Sequence, residues 1–301
     1  MLYLVISVLC SLAVSVLLKL ARTNNIDIRQ AIGVNYLVAV GVTAYFFPPN
    51  VAAWSVYLPK AWLVGLLGVL LPSVFVLMGQ AVAQAGIVKS DAAQRLSLFL
   101  PIVAALTLFG EQLTEGRALG LALAFTALVC LLWKNNDAGG RGKGKKQKAA
   151  GTPWQQAGLL LGVWAGYGVI DILFKQLAKS GGTFGSQLLL VFALSGVLMF
   201  GYLFYQGGKW RAANVLAGVL LGLLNFANIF FYIKAHQAFS ANPTVVFAGM
   251  NMGVITGGTL IGAWLFKEKI SAVNWAGVAV ALCALVCLFY WPLLKAWVGM
   301  A

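Results

Sequence analysis

Charge is what this sequence has least of. Asp, Glu, Lys and Arg make up 9% of its 301 residues, against about 25% in soluble domains. A chain this poor in charge cannot coat a globule with polar side chains, which excludes a soluble protein. Acidic residues are scarcer still, 7 against 21 Lys and Arg, and there is one histidine. A metal-spaced His/Cys/Asp/Glu cluster is missing. The four cysteines, Cys10, Cys130, Cys283 and Cys287, lie inside apolar runs and form no CxxC pair, so they read as small packing residues. GxSxG, HExxH and GxxxxGK[ST] do not occur. No enzyme chemistry, cofactor or ATP-driven step is therefore expected.

Apolar sequence fills the space that charge leaves, at 61% of residues. Runs of about 20 apolar residues are long enough to cross about 30 Å of hydrocarbon as helix. Ten such runs are expected to span: Leu2 to Leu20, Ala31 to Phe47, Ala61 to Gln84, Ser90 to Gly110, Gly116 to Trp133, Gln155 to Ala178, Phe184 to Tyr205, Asn214 to Gln237, Pro243 to Phe266 and Val273 to Trp291. The first run has no basic residue before it and Lys19 at its end, which argues against a cleaved signal peptide. The net charge of +14 sits between apolar runs. It reads as loop charge that sets topology, and no nucleic acid partner is expected.

Five runs fall on each side of the one long polar stretch, residues 134–153, which carries six Lys and Arg against Asp137 among several glycines. It reads as a flexible linker between a first repeat, 1–133, and a second, 154–301. At a shift of 157 residues, Leu108 to Trp133 lies over Leu265 to Tyr290 without a gap, with 11 of 26 positions identical. Glu111 falls on Glu268, Gly120 on Gly277, and Thr114 on Ser271, the last pair suited to helix N-caps. An odd number of spans per repeat makes the second copy enter the membrane from the opposite side. Inverted repeats of this kind mark secondary transporters, whose sites lie at the midplane.

These residues resemble the drug/metabolite transporter superfamily, EamA type. Tyr167-Gly168 followed by Lys175 matches its aromatic-Gly and lysine motif in the second half, and Lys19 matches the lysine in the first, where Ser11-Leu12 replaces aromatic-Gly. Pro101, Glu111 and Thr114 match a second motif, which Glu268 and Ser271 repeat with Gly258 at the proline position. The resemblance implies an all-α integral membrane fold of ten transmembrane helices in two inverted five-helix repeats. The activity it implies is secondary active transport of a small organic metabolite, as an exporter, by alternating access. Expected partners are the solute, protons or a counter-solute, and the lipid bilayer, with the chain a monomer or homodimer in the bacterial inner membrane.

Fifteen of the 21 Lys and Arg fall in odd-numbered connections or, as Lys19 and Arg95 do, in the ends of the runs beside them. Positive charge stays cytoplasmic, so the linker is expected inside and both termini outside, although family members more often have both inside.

Ionisable groups inside spans cost about 2.5–3.5 kcal/mol each and are usually functional. Asp171 and Lys175 stand one helical turn apart and can pair. Either they line a cavity, with Lys175 meeting an anionic solute, or they form a structural pair. Lys19 ends its helix and either snorkels or binds solute. Arg95, one turn from Asp91, either grips a carboxylate or makes an interfacial ion pair. Asn225 and Asn228 share a face, Asn251 lies mid-run, and Gln80 and Gln84 share another face; these amides either line the path or bond between helices. Tyr167 completes the candidate set, and His236 reads as an interfacial side chain or a proton switch. Gly249, Gly253 and Gly257 form a smooth strip for close helix contact.

The cationic residues tilt the expected solute toward an amino acid or another anionic or zwitterionic metabolite. Export of cationic drugs wants a carboxylate in the first helix, where this chain has none. A lipid flippase or intramembrane enzyme is the third class, and no catalytic constellation supports the enzyme.

Overall fold

The computed structural model describes residues 1–24, 26–48, 60–132, 152–207, 210–267 and 271–298. The basic linker up to residue 151, Glu268, Lys209 and Lys269 lie outside the described residues. Every regular element among the described residues is helical: α1 (Leu2–Thr23), α2 (Ile28–Phe46), α3 (Ala61–Ala85), α4 (Ile87–Leu96), α5 (Phe99–Thr107), α6 (Glu115–Leu132), α7 (Pro153–Ala178), α8 (Phe184–Gln206), α9 (Ala212–Ala238), α10 (Pro243–Phe266) and α11 (Ala272–Val298), with a short 3₁₀ turn at Gly181–Thr183. Seven segments are long and apolar enough to cross a membrane: Leu2–Ala21, Ala61–Ala85, Pro153–Ala178, Phe184–Gln206, Ala212–Ala238, Pro243–Leu265 and Ala272–Trp291. The protein is thus an all-α, multi-pass membrane protein by length and composition. Large aromatics stand exposed at helix ends, among them Trp154 at 87% and Trp264 at 85%, where interfacial aromatic belts form.

The helix ends follow from local chemistry. α7 begins two residues before the expected run because Thr152 and Gln155 form a capping box: the Gln155 amide N–H donates to Thr152 Oγ1 at 3.4 Å, and the Thr152 N–H donates to Gln155 Oε1 at 3.0 Å. Pro153 takes the first helical position, where its missing N–H costs nothing. Ser271 caps α11 as expected, accepting from the Asn274 N–H at 3.2 Å. Thr114 contributes its carbonyl, to the Ala118 N–H at 2.9 Å.

Two prolines shape the helices they interrupt. Pro101 has no N–H to offer Ser97, and its ring crowds that carbonyl. The fourth run breaks there into α4 and α5, with the Ser97 carbonyl taking the Leu100 N–H at 3.0 Å instead. Pro72 leaves the Gly68 carbonyl without its helical donor, yet α3 continues, because the Ser195 hydroxyl donates to that oxygen at 3.0 Å.

The chain forms two compact units, Met1–Leu77 with Val169–Ser240 and Met78–Gly168 with Ala241–Ala301. Each draws on both sequence halves. In the first unit, α9 packs on α2 through Gly218 and Gly222. A Cβ at Gly218 would stand 2.6 Å from the Ala31 carbonyl oxygen, and one at Gly222 would stand 2.6 Å from Val38 Cβ. This small-xxx-small spacing lets backbones approach closely. Amides bond across the same seam, Asn214 Nδ2 to Gln30 Oε1 at 2.7 Å and Asn225 Nδ2 to Asn35 Oδ1 at 3.2 Å. On α1, the Ser7 hydroxyl donates to Asn228 Oδ1 at 2.8 Å.

In the second unit, α6 and α11 run antiparallel in close contact. A Cβ at Gly120 would meet Leu288 Cγ at 2.7 Å, and one at Gly277 would meet Leu131 Cγ at 2.9 Å. These four residues exchange roles under the 157-residue shift, which maps Gly120 onto Gly277 and Leu131 onto Leu288. One backbone conformation ahead of the two helices also corresponds. Gly110 has φ 68° and its equivalent Lys267 φ 53°, a left-handed conformation that a lysine adopts only at a cost.

Candidate functional site

The densest set of buried polar groups lies in the first unit, where the C-terminal parts of α7 and α9 meet. A helix end leaves its last carbonyls without intrahelical donors. Here the two ends satisfy one another. Lys175, on α7, donates from Nζ to the carbonyls of Ser240 at 2.9 Å and His236 at 3.3 Å, at the end of α9. Gln237, on α9, donates from Nε2 to the carbonyl of Ala178, the last residue of α7, at 3.3 Å. The Lys175 side chain is buried, with 1% of the residue exposed. A cation at a helix C-terminus is also favoured by the helix dipole.

Asp171 lies one turn earlier on α7. The expected pairing of Asp171 with Lys175 is not what forms. The Tyr232 hydroxyl, on α9, donates to Asp171 Oδ1 at 3.1 Å, while the lysine reaches forward to the carbonyls. The reason is competition: buried carbonyls without donors are costlier to leave than an i,i+4 ion pair. Tyr232 stands between Phe174, whose ring it meets edge-on at 6.3 Å, and His236, whose ring lies 4.7 Å away. His236 is buried rather than interfacial. The result is a carboxylate, a phenol, an imidazole and an ammonium along one helix seam. Asp171, held by a neutral hydroxyl, can take up a proton or a cation, whereas the ammonium of Lys175 is committed to backbone oxygens.

The other candidate residues are distributed more widely. Asn225 and Asn228 lie on the same α9 face as Tyr232, and their bonds to Asn35 and to Ser7 tie helices together. Lys19 is half-buried, within the last turn and a half of α1, which continues to Thr23. In the second unit, Arg95 sits at the end of α4 with Nε 3.5 Å from Asp91 Oδ1 and its side chain 19% exposed. Asn251 turns back on its own helix, donating to the Phe247 carbonyl at 3.2 Å. Tyr167 is half-buried on α7. The neighbouring Gly168 is a point of close approach, because a Cβ there would stand 2.6 Å from Leu100 Cδ1 and 3.0 Å from the Ser97 carbonyl. Trp164, one turn earlier, donates its indole N–H to the Leu96 carbonyl at 3.1 Å. The aromatic-Gly motif thus seats α7 against the broken fourth run.

Glu111 also has a structural task. Its Oε2 accepts the Thr244 N–H at 2.9 Å at the start of α10, and Arg117 lies 3.6 Å from its Oε1. Arg117 also bonds Asn242 and the Gln112 carbonyl. Sequence reasoning missed Tyr232, Ser7, Asn35 and Gln187. Tyr232 could have been found as the residue four before His236 and four after Asn228 on an otherwise apolar helix.

No family model matches the chain. A crystal structure of a protein with 14% sequence identity superposes with a TM-score of 0.70, covering 96% of this chain and 95% of that one, which shows a shared fold. An uncharacterized protein of Haemophilus influenzae (strain ATCC 51907 / DSM 11121 / KW20 / Rd) is 49% identical over 292 residues, 95% of this chain and 97% of that protein. At that identity over nearly the whole of both chains, this protein belongs to the same family as the Haemophilus influenzae protein.

Proposed function

We propose that the chain is a secondary active transporter of the EamA type, with ten membrane helices in two inverted five-helix repeats. It exports a small organic metabolite across the bacterial inner membrane by alternating access. One observation carries the reading. α6 and α11, equivalent under the 157-residue shift, run antiparallel and exchange the same contacts, Gly120 on Leu288 and Gly277 on Leu131. Equivalent helices that pair antiparallel are related by a twofold axis lying across them. Inverted repeats require such an axis, and a transporter uses it to make two equivalent gates. The charge count supports a cytoplasmic linker with both termini outside.

The solute class is an amino acid or another anionic or zwitterionic metabolite. Arg95 supports this: its guanidinium lies 3.5 Å from Asp91, and the two side chains are 19% and 43% exposed. A guanidinium fork of this kind suits a carboxylate. A second reading, proton-coupled export of organic cations, is favoured by Asp171, whose partner is the neutral Tyr232 hydroxyl rather than Lys175.

Solute-induced thermal stabilisation of the purified protein separates the two, since binding to the native state raises the melting temperature by mass action. The expected result is a response to an amino acid or organic anion that is lost in Arg95→Ala. A response confined to cationic dyes and lost in Asp171→Asn moves the assignment to cation export. Silence across amino acids, sugar phosphates, organic acids and dyes removes the support for transport.

A further inference from the structure

The break between α4 and α5 takes donors away from backbone oxygens, and each stripped oxygen finds a new one. Pro101 has no N–H for the Ser97 carbonyl. The hydrogen bonds around it tighten by one residue. The Leu100 N–H donates to the Ser97 carbonyl at 3.0 Å and the Leu98 N–H to that of Arg95 at 3.3 Å, each three residues back rather than four. The carbonyls of Gln94 and Leu96 thereby lose the donors that a continuous helix would give them. The Ser97 hydroxyl donates to the Gln94 carbonyl at 2.6 Å. Leu96 is served from another helix, by the indole N–H of Trp164 at 3.1 Å. Proline is the cause: the 157-residue shift puts Gly258 at the position of Pro101, and there α10 runs unbroken from Pro243 to Phe266.

α7 meets the break with two residues one helical turn apart on one face. Trp164, near the middle of α7, holds the carbonyl of Leu96, the last residue of α4. Gly168 faces the other side of the break, where a Cβ would stand 2.6 Å from Leu100 Cδ1 and 3.0 Å from the Ser97 carbonyl oxygen. One half-helix is bonded to α7 and the other packs closely on it, with Ser97 and Leu98 between them. Arg95, next to last in α4, rides on the bonded half.

We infer that the α4–α5 break is a hinge, and that Trp164 is the positioning residue that latches it and so fixes the direction of Arg95. A carbonyl at membrane depth has no water to replace a lost donor. With the indole in place the C-terminal end of α4 is tied to α7. Without it, the Leu96 carbonyl finds a donor only by movement about Ser97 and Leu98. Latch and hinge rest on the contacts above; that they serve a solute through Arg95 rests on the transport reading.

Hydrogen exchange of single amides, followed by mass spectrometry on the purified full chain in lipid nanodiscs, tests the latch without any solute. Trp164→Phe keeps an aromatic ring and removes the N–H. It speeds exchange of the Leu98 and Leu100 amides by about tenfold and leaves the paired helices α6 and α11 unchanged. Pro101→Ala returns a donor to the Ser97 carbonyl, which releases the Leu100 N–H for Leu96. In that background Trp164→Phe alters exchange at the break by less than about twofold. A ring that only packs gives the same change with and without the proline. Pro101→Ala by itself slows the Leu98 and Leu100 amides, and it is the decisive comparison if Trp164→Phe does not fold. Exchange untouched by Trp164→Phe, an equal change in both backgrounds, or no slowing in Pro101→Ala overturns the hinge. A protein silent to every solute removes the transport reading and leaves these exchange results standing.

Discussion

Lys175→Met destabilises the purified protein by about 2 kcal/mol, a fall in melting temperature of roughly 4–8 °C. Methionine nearly matches the volume and flexibility of the lysine stem, so the change isolates the ammonium. Two effects oppose each other. Removing a buried cation relieves its desolvation cost. It also takes from the carbonyls of Ser240 and His236 the donor that now sits 2.9 and 3.3 Å away. Hydrogen bonds to charged groups contribute about 1.5–3 kcal/mol, and the loss of two of them outweighs the relief. A lysine lining a water-filled cavity behaves differently: its loss leaves stability unchanged or raises it, and the fall appears instead in solute affinity. Thermal unfolding of the two proteins side by side therefore decides whether Lys175 joins helices or meets solute.

The second large effect is reciprocal. Gly120→Leu and Gly277→Leu each force α6 and α11 apart, because a Cβ already meets Leu288 Cγ at 2.7 Å in one case and Leu131 Cγ at 2.9 Å in the other. Backbone nitrogens stand just behind, Leu288 N at 3.3 Å and Leu131 N at 3.1 Å, so side-chain rotation alone does not make room. Overpacking of this kind costs about 1–3 kcal/mol or more. The two losses agree within about 1 kcal/mol. Leu288→Ala partly rescues Gly120→Leu, and Leu131→Ala partly rescues Gly277→Leu, through coupling of about 0.5–3 kcal/mol. Thermal unfolding of the single and double variants measures all four values. A severe loss at one glycine with none at the other breaks the symmetry on which the functional reading stands.

Helix positions were legible in the sequence because hydrophobic length and helix-end chemistry are local. Most of the described length of the apolar runs is helical, seven segments are long and apolar enough to cross a membrane, and Ser271 caps α11 as its spacing predicts. Pro101 was visible, but its consequence, the break at Ser97, needs the i−4 carbonyl to be considered, not merely the presence of a proline. Not every close glycine contact was singled out. Attention falls on the Gly249, Gly253 and Gly257 strip, while the approaches described above use Gly218 and Gly222 on α9 and Gly120 and Gly277 on α6 and α11. Several runs are glycine-rich, and spacing alone does not say which strip faces a neighbour.

Partners of polar side chains were the least legible. Asp171 and Lys175 share a helix face, and the local rule pairs them. Their actual partners, the Tyr232 hydroxyl and the carbonyls of His236 and Ser240, lie about 60 residues further along the chain. Asn225 and Asn228 likewise bond to Asn35 and Ser7, 190 and 221 residues away. The compact units are assembled from both sequence halves, so most of what a buried polar group meets is remote in sequence. The 157-residue repeat was legible because it preserves residue identities, and its shared left-handed turn at Gly110 and Lys267 is a backbone property that those identities only hint at.

Sidedness of equivalent positions tests the inverted repeats most directly. Thr114 and Ser271 correspond under the shift and begin α6 and α11. With Cys10, Cys130, Cys283 and Cys287 replaced by serine, a single cysteine at either position is exposed to a membrane-impermeant maleimide in intact cells and in inverted vesicles. Inverted repeats predict opposite faces: Thr114→Cys labels from outside the cell and Ser271→Cys from the cytoplasm. Labelling of both from the same face contradicts the account.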